Sequence, residues 1–123
     1  MTETPDMPRL RLRIVFAPGT WIGPGKAELL ERIARTGSIA AAGREMGMSY
    51  KRAWQLVEAL NGMFREPLVE STRGGAKGGG ATVTETGRRV LSAYRDVVEA
   101  AQAAGAGPIV ELQEMASDIP AQT

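Results

Sequence analysis

The sequence contains no cysteine and no histidine, which removes thiolate nucleophiles, imidazole bases and the usual zinc ligands together. Serine with lysine, or a pair of carboxylates, would remain chemically competent, but G-x-S-x-G, S-x-x-K and D-x-D-x-D-G patterns are missing as well. No catalytic residue, no metal site and no cofactor is therefore expected, and an enzyme is not the reading. The absence of cysteine fits a reducing compartment. The N-terminus MTETPDMPRL lacks the basic and then apolar pattern of a signal peptide, so the expectation is a cytoplasmic protein. No apolar run approaches the roughly 20 residues that span a bilayer, and no membrane partner is expected. A strong charge of either sign is missing too: the net charge is +1, which argues against a polybasic binder.

What is present reads as one ordinary globular domain. The 123 residues are 43% hydrophobic and 24% charged, enough for one core and not two. The charges are unevenly spread. From Gly37 to Arg89 eight cations stand against five acids, whereas every charge after Arg95 is negative (Asp96, Glu99, Glu111, Glu114, Asp118). No internal repeat is visible.

RLRLRIVF alternates Arg9, Arg11 and Arg13 with Leu10, Leu12 and Ile14, the period of two of a half-buried strand. Its arginine row reads as a solvated face, with phosphate contact or partner binding as the alternative. APGT has turn chemistry, and WIGPGK leads into a helix over about Pro24 to Arg35 with Leu29, Leu30, Ile33 and Ala34 as its buried stripe. Gly37 ends it and Ser38 caps a short second helix, with Ile39, Ala42 and Met46 on one face. Gly47 supplies a left-handed turn, and Ser49 caps a third helix whose Ala53, Val57, Leu60 and Phe64 lie within about 40° of one another on a helical wheel. Two short helices joined this tightly form a helix-turn-helix.

The outward face at the N-terminal end of the third helix is Lys51, Arg52 and Gln55, flanked by Tyr50 and Trp54. Cations there cost on the order of 0.3–1 kcal/mol against the helix dipole. A nucleic-acid polyanion would reverse that cost, and long donors at this end of a recognition helix reach guanine, phosphate or adenine. A merely solvated pair is the alternative. Trp54 either stacks on sugar or base or seals the packing between helices.

Leu68 to Ser71 and Ala81 to Thr84 read as short strands around a glycine-rich tip carrying Arg73 and Lys77. That tip is either a wing laid on the phosphate backbone or a solubilising loop. It lacks the GK[ST] ending of a nucleotide-binding loop. Thr84 caps a last helix with an apolar stripe at Val90, Leu91, Tyr94, Val97, Val98 and Ala101, packed on its own domain or shared with a second copy. Arg44 and Arg88 are further phosphate candidates. Beyond GAGP the pattern fades into a short helix or a loose arm.

RTGSIAAAGREMGMSYKRAWQLVEALN and PLVESTRGGAKGGGATVTETGRRVL resemble the N-terminal DNA-binding domain of ModE-type, molybdate-responsive transcriptional regulators, with the LysR-type winged helix as a wider relative. The likeness covers about Gly23 to Tyr94, and GSIAAAG, SYKRAW and GGAKGGGA are its most specific pieces. It implies that Ser49, Tyr50, Lys51, Arg52, Trp54 and Gln55 line the recognition helix, that Arg73 and Lys77 sit in the wing, and that the terminal helix joins two subunits. Family members continue into a molybdate-binding module with an S-A-R-N-type motif. That motif does not occur in these 123 residues, so molybdate binding is carried to none of them.

The expected fold is mainly α with a small β ribbon: a winged helix-turn-helix with an N-terminal strand and a long C-terminal helix. Residues 1–8 are expected as a flexible N-terminus, 9–104 as the domain with its dimerisation helix (Val90, Leu91, Tyr94, Val97, Val98), and 105–123 as an acidic tail or short arm. The expected function is sequence-specific duplex DNA binding by a homodimeric transcriptional regulator, possible ties being to molybdenum metabolism, with no effector identified. The alternative is a winged-helix module that docks a partner protein.

Overall fold

The computed structural model describes residues 8–72 and 80–117. Their elements run β1 (Ile14–Ala17), β2 (Thr20–Ile22), α1 (Pro24–Thr36), α2 (Ile39–Glu45), α3 (Tyr50–Met63), β3 (Val69–Thr72), β4 (Gly80–Val83), α4 (Glu85–Ala104) and α5 (Ala106–Met115). Strands β1 and β2 form one antiparallel hairpin, and β3 and β4 form another. No helix among the described residues is long and apolar enough to cross a membrane.

The N-terminal strand is shorter than its alternation predicts. Only Ile14–Ala17 is strand, and its partner is β2, a three-residue strand that the sequence reading took for a lead-in to α1. Pro18 and Gly19, the latter at φ +79°, join the two with the residue pair favoured in a type II turn. The alternation itself holds: Leu10, Leu12 and Ile14 are half-buried and Arg9, Arg11 and Arg13 exposed. Residues 10–13 find no strand beside them, and side chains of α4 serve their backbone instead. Gln102 Oε1 accepts from Leu10 N (3.2 Å), and Tyr94 Oη donates to Leu12 O (2.7 Å).

Capping chemistry sets the helix boundaries. Gly37 closes α1 in the left-handed conformation, its N–H bonded to Ile33 O at 2.8 Å. Ser38 Oγ accepts from Ala41 N, Ser49 Oγ from Arg52 N and Thr84 Oγ1 from Gly87 N, all at 3.0 Å, so α2, α3 and α4 each start at a hydroxyl cap. Between α2 and α3 the chain turns through Met46–Ser49, with Gly47 at φ +74°.

Ile22, Leu29, Leu30, Ile33, Val57, Leu60 and Leu68 are almost fully buried and form the centre of one core. Ala53 and Ala42 let α2 and α3 cross closely above it. Ala34, expected on the buried stripe of α1, is exposed, because it faces an open cleft between α1 and α4 where no side chain covers it. The β3–β4 ribbon is tied to the helices through both strands. Ala81 N on β4 donates to Gly37 O (2.9 Å), while Thr84 N to Leu68 O (2.9 Å) extends the ladder between the two strands at their base. Asn61 on α3 clamps the other strand: its Oδ1 accepts from Leu68 N (2.8 Å) and Val69 N (3.1 Å), and its Nδ2 donates to Val69 O (3.1 Å). The ribbon is thereby held against the end of α1 and against α3. Past α4 the pattern that faded in the sequence is a helix, α5, with no buried residue.

Candidate nucleic-acid interface

The helix-turn-helix presents the N-terminal end of α3 as an exposed ledge. Ala53, Val57 and Leu60 anchor its inner face in the core, which leaves Ser49, Tyr50, Lys51, Arg52 and Gln55 exposed on the outer one. The helical period therefore does bring the recognition set together. Trp54 is half-buried and packs against the core, and Tyr50 meets its ring edge-to-face at 6.1 Å between centroids. Both aromatics border a cleft of about 280 Å³ that is also lined by Ser38, Ile39, Ala40, Ser71, Thr72 and Gly80. Trp54 thus closes the packing and, with Tyr50, borders the end of the β3–β4 ribbon at Thr72 and Gly80, away from its base.

Charge pairing divides the molecule into two surfaces. Arg32 pairs with Glu28 and Glu45, Arg35 with Glu45, Arg95 with Glu31 and Arg88 with Glu85. These pairs lie on α1, α4 and the end of α2. Several of them border the α1–α4 cleft, about 1140 Å³ in volume, which the first residues of the described chain also line. The Arg35 and Arg32 guanidiniums hold the Glu45 carboxyl below its ordinary range, and Glu28 with Glu45 pushes Arg32 up. Among the described residues Lys51, Arg52 and Arg44 form no ion pair, and α3 carries no acid in its first turn. Acids neutralise one side of the fold and leave the α3 ledge cationic.

The remaining candidates fall in different places. Arg44 is exposed in the last turn of α2. Arg88 borders the α1–α4 cleft, donates to Val83 O (3.0 Å) and pairs with Glu85, so it buttresses the start of α4. Arg73 and Lys77 lie outside the described residues. Of the α4 stripe, Leu91 and Tyr94 are buried within this chain and Val90 and Val98 pack partly against its core, whereas Val97 is 43% exposed. Burial raises the Tyr94 hydroxyl above its ordinary value of 10.0, which keeps it a donor to Leu12. Sequence reasoning missed Asn61, because a polar residue on a helix flank carries no sign of which backbone it will meet. It also missed Lys26, which the structure buries beside Trp21.

A helix-turn-helix whose second helix exposes cations without an ion pair among the described residues, followed by a two-stranded ribbon, defines a winged helix. Residues 25–88 match the family of bacterial regulatory helix-turn-helix proteins of the lysR type, and the chain belongs to that family. Among curated relatives it is 46% identical over 94 residues to the molybdenum-pterin-binding protein MopA of Rhodobacter capsulatus, covering 76% of this chain and 35% of that protein. It is 40% identical over 95 residues to the molybdenum transport protein ModE of Azotobacter vinelandii, covering 77% and 34%. With the DNA-binding transcriptional dual regulator ModE of Escherichia coli K12 it shares 39% identity over 71 residues, covering 58% and 27%. The chain spans about a third of the length of these relatives.

Proposed function

We propose that this chain binds duplex DNA sequence-specifically as a ModE-like transcriptional regulator. In this reading α3 enters the major groove by its N-terminal end, Lys51, Arg52 and Gln55 reach base edges or phosphates, and Tyr50 supports them from the flank. Arg44 and the ribbon with Arg73 and Lys77 lie against the backbone and position the domain, and Arg88 acts through the start of α4. The observation that carries the reading is the ledge itself: two cations sit at the positive end of a helix with no described acid beside them. The arrangement is mildly unfavourable in the free protein and favourable on phosphate. The protein acts by binding and not by catalysis, in the cytoplasm where its DNA is.

The tie to molybdenum rests on the names of the relatives, and its content is which genes the protein controls. Dimerisation belongs to the same proposal, since two copies would read two half-sites. Leu91 and Tyr94 are spent in the core of one chain, so the shared surface is assigned to Val97 and the outward side chains of α5. Replacing Lys51 and Arg52 together by Ala tests the reading. Duplex affinity should fall by about 1–3 kcal/mol per lost base contact with no fall in the melting temperature, and unchanged affinity would sink it.

A further inference from the structure

A second set of cations gathers around β2 and the start of α1. Trp21 on β2 has two of them over its indole, Arg13 with Cζ 4.0 Å from the ring centroid and Lys26 with Nζ 3.6 Å from it. Lys26 Nζ also donates to Trp21 O (3.0 Å), and the residue is only 8% exposed. Burial first, then Arg13 and Arg52, push its ammonium below the usual 10.5, and α3, which carries Arg52, packs against β2. Arg13 and Lys26 reach one indole from separate segments, and neither they nor Arg52 form an ion pair among the described residues. Helix α1 begins at the same place with no side-chain cap and no acid in its first turn, which adds the positive end of its dipole. Attraction to the indole face offsets only part of the mutual repulsion.

We infer that Arg13 and Arg52 form a clamp for the phosphodiester backbone beside the groove that α3 reads, with Trp21 as the plate under Arg13 and Lys26 as a positioning residue that fixes the plate. The clamp rests on the proposed DNA binding and extends it to the β1–β2 hairpin, which then touches the duplex on the flank of α3 opposite to Trp54 and the β3–β4 ribbon. A phosphate contact carries no sequence information, so this hairpin adds affinity and register and leaves base choice to α3.

The salt dependence of duplex binding separates this role from simple packing of Arg13 on Trp21. Wild type, Arg13→Gln and Arg13→Lys are titrated with a selected duplex and with its scrambled sequence between 50 and 200 mM salt. Arg13→Gln should weaken both duplexes by the same factor and flatten the log–log slope by about 0.9, equivalent to about 3.5-fold less loss of affinity over that range. Arg13→Lys should keep the slope. Lys26→Gln should flatten it as well, yet add nothing in an Arg13→Gln background, because it acts through Arg13. Arg13→Met, which keeps an unbranched uncharged chain on the indole, gives the same reading should Gln disturb the hairpin. An unchanged slope in Arg13→Gln, alongside a wild type that binds, overturns the clamp alone, as does a loss confined to the selected duplex. A wild type with no affinity for any duplex overturns the proposed function and the clamp with it.

Discussion

Asn61 shows how one side chain places the interface. It satisfies the N–H groups of Leu68 and Val69 and the carbonyl of Val69, so α3 and β3 are locked together by three hydrogen bonds from a single amide. Asn61→Ala leaves those partly buried backbone groups without partners and should cost roughly 2–4 kcal/mol, read as a lowered midpoint in chemical denaturation. Lys51, as a proposed DNA contact, sets function against stability. It sits in the first turn of α3 with no acid beside it in that turn, where a carboxylate suits the dipole better. Lys51→Glu should therefore raise the unfolding free energy by up to about 1 kcal/mol while weakening duplex binding. A variant that lost stability and affinity together would argue that Lys51 serves the fold.

Among the elements, those announced by punctuation were legible and those held by tertiary contact were not. Ser38, Ser49 and Thr84 cap the helices that their positions forecast, and Gly37 and Gly47 take the left-handed turns required of them. The N-terminal alternation was seen, but β2 is three residues long, too short to show a period of its own, and the partners of residues 10–12 come from α4, some 80 to 90 positions away. The exposed face at the N-terminal end of α3 was readable because helical geometry alone defines it. The clamp around Trp21 was not, since it gathers residues from three segments. Gly87 carries a steric demand that the sequence hid: a Cβ there would strike Leu68 O and come within 2.7 Å of Val83 Cγ1. Gly87→Ala should lever α4 away from the ribbon and cost about 1–3 kcal/mol, measurable by thermal unfolding. The contact of α1 with the end of α2 has an acid-sensitive part. Because Arg35 and Arg32 hold Glu45 below its ordinary 4.5, this contribution is complete above pH 4.5 and lost as pH falls through the lowered folded value. The stability difference between wild type and Glu45→Gln should shrink over that window, and a difference independent of pH would exclude the pair as its source.

Across the whole molecule, the division of charge is what joins fold to function. Ion pairs cover α1, α4 and the end of α2, while the α3 ledge and the Arg13–Trp21–Lys26 cluster keep their charge uncompensated by any described acid. Val97, Val110, Leu112 and Met115 are exposed apolar side chains on α4 and α5, apart from both cationic surfaces. Val97→Asp combined with Leu112→Asp should convert a dimer to a monomer in sedimentation without loss of helical signal, and a persisting dimer would place the contact elsewhere. The most direct test of the central claim is selection of bound fragments from a random duplex library by the purified protein, at low and at physiological salt. An enriched two-fold symmetric sequence that survives the higher salt, and is lost with Lys51→Ala and Arg52→Ala, is the predicted result. Binding that stays unselective and disappears with salt would contradict sequence-specific recognition by α3.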